Sequence, residues 1–137
     1  MRLAHRYGAG PINGRELAAA EKLPADYVEQ VLLRLRRAGI VASVRGAHGG
    51  YQVARMPGAI SVREIVTAAE HATFDLHCVS HPVNEARCAE TRSYSIRPVW
   101  ILLQTQIDEV LEGVKLADLL PEEHEVRARV GLTVLSA

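Results

Sequence analysis

Residues 23–55 read LPADYVEQVLLRLRRAGIVASVRGAHGGYQVAR, and the fold turns on this stretch. Val28, Val31, Leu32 and Leu35 fall at i, i+3, i+4 and i+7, one apolar stripe along a helix that starts near Pro24. Proline suits a helix start, where its missing N–H costs nothing. Gly39 supplies the stop, and Arg36 and Arg37 place cations in the last turn, where the helix dipole favours them. Beyond it, IVASV and YQVAR are β-prone runs on either side of RGAHGGY, residues 45–51, so the glycine-rich stretch is the turn of a hairpin.

Working back from Pro24, NGRELAAA (residues 13–20) opens with Asn13 and carries Glu16 three positions later, a capping arrangement ahead of a good helix former. Two short helices joined by EKLP read as a helix-turn-helix. With a hairpin directly after it, the unit is a winged helix-turn-helix: the second helix enters a DNA major groove and the wing reaches phosphate or the minor groove. The face opposite the stripe offers Pro24, Asp26, Tyr27, Gln30, Arg34 and Arg37. Tyr27, Arg34 and Arg37 can bond phosphate, Gln30 can pair with a base edge, and Glu29 can accept from a cytosine amino group. Arg45 at the tip suits a narrow A·T-rich minor groove, and His48 a phosphate. A merely structural turn would need fewer glycines, so their number is read as room for a close approach to DNA.

Charge agrees. The net charge is zero, but residues 1–60 hold nine Lys and Arg against four Asp and Glu, and residues 61–137 hold seven against twelve. A basic first half suggests that it meets a polyanion. No apolar run is long enough to cross a bilayer, and the start has no signal-like apolar region. With two cysteines, the expected setting is a reducing cytoplasm without a structural disulfide.

Past the wing, Ser61 and Glu64 form a second capping box ahead of a helix of about ten residues. Residues 71–94 show no periodicity and hold both cysteines and three of the six histidines. From Pro98 a long helix of about 24 Å carries Trp100, Leu103, Ile107, Val110 and Val114 on one seam, read as a dimer interface. KLADLL is a short closing helix, and the residues after Pro121 are expected to have little structure. The expectation is therefore a mainly α fold with a small β-hairpin, a winged helix-turn-helix plus a long C-terminal dimerisation helix. Its parts are a DNA-binding domain (1–70), a sensor loop (71–94), a dimer helix with its closing helix (95–120) and a tail (121–137). A two-fold dimer places its recognition helices about 34 Å apart, so the double-stranded DNA target is near-palindromic.

The stretch YVEQ through LRRAG to RG and GGY, with ISVREIV after it, resembles the bacterial Rrf family of winged helix-turn-helix transcription regulators, the family of IscR, NsrR and CymR. SIRPVWILLQTQIDEVLEGVKLADLL is similar to that family's dimerisation helix and closing helix, and the likeness runs from about Leu3 to Leu120. The resemblance implies a dimeric cytoplasmic regulator, a repressor, with Tyr27, Glu29 and Gln30 on recognition positions and Arg45 as the minor-groove arginine. It also implies a truncated or mis-assigned start, or the loss of an element, because the family's full first helix precedes RLAHRYGAG. Lys22 stands where the family often has glycine at the turn.

Cluster-binding members place three cysteines before the long helix. Here they are two, Cys78 and Cys88; the third position falls on Tyr94, and the further ligand position on Arg97. Four readings of the loop stand. Cys78 and Cys88, with His77, His81 or Glu85, hold a [2Fe–2S] cluster; Cys78, His81 and Cys88 bind zinc; the cysteines are a thiol switch; or the loop holds no cofactor. Two other classes remain as alternatives, a small metal- or thiol-dependent redox protein and a winged-helix module that binds protein. No catalytic signature accompanies the cysteines, so the expectation is that the chain is no enzyme.

Overall fold

The computed structural model describes residues 1–46, 48–69 and 96–129. Helix α1 (Arg2–His5) leads to α2 (Gly14–Glu21) and α3 (Ala25–Arg37), followed by the antiparallel strands β1 (Val41–Val44) and β2 (Gly50–Val53). A 3-10 turn (Pro57–Ala59) precedes α4 (Val62–Ala69). Beyond the undescribed residues come the long α5 (Arg97–Gly113), a 3-10 turn (Leu116–Leu119) and α6 (Glu123–Arg129).

Local chemistry explains the joints. The Asn13 side chain accepts from the Arg15 N–H at 2.9 Å and caps α2. Lys22 ends that helix in the left-handed region with φ 55°, so the non-glycine residue does take up the conformation the turn demands. At α4 the capping box is complete: the Ser61 N–H donates to Glu64 Oε2 at 2.9 Å, and the Glu64 N–H donates to Ser61 Oγ at 3.2 Å. The hairpin pairs Val41 with Val53 and Ser43 with Tyr51. Ile12 extends it, exchanging backbone bonds of 2.9 and 2.8 Å with Tyr51.

Ala4, Ile12, Leu17, Leu32, Ile40, Val41, Val53, Ile60 and Leu116 form one buried cluster. Leu32 is the buried member of the α3 stripe, Val28 and Leu35 pack against the cluster, and Val31 is half-buried. Leu116 comes from the far end of the chain. It is brought in by a short antiparallel pairing: Val62 N–H to the Val114 carbonyl at 2.9 Å, and Leu116 N–H to the Ile60 carbonyl at 2.8 Å. Residues expected in two separate parts therefore share a core.

Two differences from the sequence reading follow. The closing element KLADLL is a 3-10 turn, held at its start by the Asp118 carboxylate accepting the Lys115 N–H at 2.9 Å. The stretch after Pro121, expected to be nearly structureless, contains α6. Its residues are mostly charged and give no apolar period, but Glu123 and Arg127 pair one turn apart.

Candidate nucleic-acid interface

With 3.6 residues per turn, α3 divides into four sides, and each has a different fate. The apolar side carries Val28, Leu32 and Leu35 into the core. One flank meets the wing. The Tyr51 hydroxyl donates to Glu29 Oε2 at 2.8 Å, and Arg36 Nη1 approaches Ser43 Oγ at 3.4 Å. The Tyr51 hydroxyl has its pKa raised, first by that hydrogen bond and then by burial and the Glu29 charge. The opposite flank meets α4: Arg34 Nη1 donates to the Ala69 carbonyl at 2.8 Å, partly buried. The remaining side faces water. Asp26, Gln30 and Arg37 are exposed there, with Tyr27 at its edge 53 % exposed and Pro24 exposed at the helix start.

Two residues read as groove contacts therefore have other bonds. Arg34 is half-buried against α4, because its position on the helix turns it toward the end of that element and away from the open side. Glu29 is exposed but hydrogen-bonded to the wing. Sequence reasoning missed Tyr51, which binds Ile12 through its backbone and Glu29 through its hydroxyl. The available signal was the strand register, which puts Tyr51 opposite Ser43, the residue that Arg36 approaches.

Arg45 and His48 are exposed at the hairpin tip. The number of glycines has a structural reason and does not mark an approach to DNA. Gly46 has φ 120°, a backbone that L side chains rarely adopt. A Cβ on Gly49 would strike the Val44 carbonyl, and one on Gly50 the Ile12 carbonyl. Gly46 serves the wing's backbone conformation and Gly49 and Gly50 its packing, so at the wing the DNA reading is left to Arg45.

The α5 seam is open. Ile96, Val99, Trp100, Leu103 and Val110 are exposed on one face, Val110 at 65 %, while Ile107 and Val114 are half-buried. Ile96 and Val99 extend the predicted seam by a turn. Ile101 and Leu102 are also exposed, off this face. The side toward α4 is polar, with Arg63 paired to Asp108 at 3.4 Å and Ser61 Oγ donating to Glu112 Oε2 at 3.1 Å.

His77, Cys78, His81, Glu85, Cys88 and Tyr94 lie outside the described residues, so the cluster, zinc and thiol readings are not tested by geometry. Among the described residues no three His, Cys, Asp or Glu side chains gather as a metal site, and no helix is long and apolar enough to cross a membrane.

Comparison with known proteins gives these features a setting. The family model Rrf2, described as an iron-dependent transcriptional regulator, matches residues 1–122. The HTH-type transcriptional regulator CymR of Bacillus subtilis is 32 % identical over 119 residues, covering 87 % of this chain and 79 % of its own. The solved structure of T. potens IscR superposes with a TM-score of 0.67 at 34 % identity, over 87 % of this chain and 75 % of the other. That of B. subtilis CymR, the global cysteine regulator of that organism, gives 0.67 at 32 % identity, over 86 % and 84 %.

Proposed function

Because the chain belongs to the Rrf2 family of transcriptional regulators, we propose that it acts as a cytoplasmic homodimeric repressor on a near-palindromic operator. The winged helix-turn-helix architecture and the regulatory, non-enzymatic character of the family are the ground for this. One observation carries the finer reading. The recognition helix is held on both flanks, which leaves Tyr27, Gln30 and Arg37 open beside a wing that exposes Arg45. Gln30 reads a base edge, Tyr27, Arg37 and His48 position the backbone, and Arg45 enters the flanking minor groove. The exposed α5 seam buries itself against a second copy, as an unpaired apolar helix face of this kind does in a dimer.

The donor set departs from all-cysteine cluster ligation: the sequence has two cysteines, so a [2Fe–2S] cluster on one chain would take its other ligands from residues such as His77, His81 or Glu85, and Arg97, in the described first turn of α5, has no lone pair to give. With two thiolates in the sequence, we take the signal to be a thiol or small-molecule event at residues 71–94, carried to the recognition helices. Fluorescence anisotropy on duplex DNA across a salt series tests the DNA reading. Affinity should fall steeply with salt, and Gln30→Ala should relax base preference while sparing non-specific binding. Salt-independent binding, or none, would leave the winged helix as a protein-binding module.

A further inference from the structure

The Arg34 contact joins two elements that the proposed function needs to hold in register. Ala69 is the last described residue of α4, and its carbonyl accepts from Arg34 Nη1 at 2.8 Å. The guanidinium puts a cation toward the C-terminal side of α4, where the helix dipole favours it. At its other end α4 is tied to α5. Ser61 is 1 % exposed and donates its hydroxyl to Glu112, Arg63 pairs with Asp108, and the Val62 N–H bonds the Val114 carbonyl. A continuous run of polar links therefore passes from the recognition helix, through the length of α4, to the helix whose exposed seam faces a second copy.

We infer that Arg34 is a positioning residue: by fastening α3 to the end of α4 it fixes the recognition helix relative to the dimer helix, and so sets the half-site spacing the dimer accepts. This rests on the dimeric DNA-binding reading. Successive base pairs are about 3.4 Å apart, so a shift of a few ångströms in one recognition helix is enough to favour the wrong spacing.

The test starts with wild-type chain selecting its preferred sequence from randomised duplex DNA. Binding is then measured on that duplex and on versions whose half-sites are moved one base pair in or out, over a salt series. Arg34→Met should lower affinity for the native spacing about tenfold, the loss of one charge-assisted hydrogen bond, and narrow the gap between spacings. Its salt slope should match wild type. Glu112→Ala, remote from any DNA contact, should narrow the same gap and guards against a purely local effect of Arg34. A salt slope reduced by about two per dimer would make Arg34 a direct phosphate contact and overturn the inference. So would spacing discrimination left intact in both variants. A wild-type chain that selects no duplex would overturn the DNA reading itself.

Discussion

The hydrogen bond between Tyr51 and Glu29 ties the wing to α3, the helix proposed to read DNA. The Tyr51 hydroxyl spans from the wing to the recognition helix, so Tyr51→Phe should cost about 1 kcal/mol, the value of a hydrogen bond to a carboxylate reduced by solvent at an exposed site. Urea unfolding measures that loss. The same variant should lose more affinity for operators with A·T-rich flanks than for others, because the wing that carries Arg45 is then less firmly placed. Arg45→Ala should show the same flank preference more strongly; an equal loss on every operator would argue against minor-groove entry. At Glu64, the Arg55 hydrogen bond, aided by the Ser61 N–H, holds the carboxyl below its ordinary value of 4.5. A depressed carboxyl pKa stabilises the fold above the unfolded value, and the contribution is lost as pH falls through the folded value. Unfolding curves of wild type and Glu64→Gln should therefore differ at neutral pH and converge below about pH 4.5. Residue roles were only partly legible in sequence: Arg34 was recognised as off the apolar stripe, but its partner carbonyl lies 35 positions away, where no local pattern points to it.

At the scale of elements, periodicity was informative wherever a face is buried against something. The α3 stripe and the two strands announce themselves because apolar residues recur at the helical and strand repeats. The reason for the wing's glycines was hidden, since Gly50 answers to Ile12, a neighbour from a segment before α2. Gly50→Ala should accordingly loosen the Ile12–Tyr51 bridge and lower the thermal midpoint, as calorimetry would record, with DNA absent. Helix α6 was missed for the complementary reason: a charged helix held by one pair a turn apart leaves no apolar period to read. For α5 the seam was visible and its exposure confirms that nothing among the described residues covers Leu103 or Val110. Leu103→Glu should produce a monomer by light scattering, with operator affinity reduced far more than non-specific affinity.

Across the whole molecule, the division into a basic first half and an acidic second half coincides with the proposed division of labour, polyanion binding against assembly. Anaerobically purified protein should show no cluster absorbance and no stoichiometric iron or sulfide; a coloured protein with both would establish the [2Fe–2S] reading, with ligands beyond the two cysteines. The two halves are nevertheless one folding unit. Leu116 is 5 % exposed among residues of the winged helix, so Leu116→Ala should cost about 2–5 kcal/mol in a single melting transition. That insertion also limits how such regulators are recombined. A chimaera cut between residues 95 and 96, where composition invites the cut, would transplant a new dimer helix together with a foreign plug for the old core. Keeping this chain's residues at 114–120 with its winged helix, and exchanging only what lies before them, is the graft that would leave the plug in its own socket.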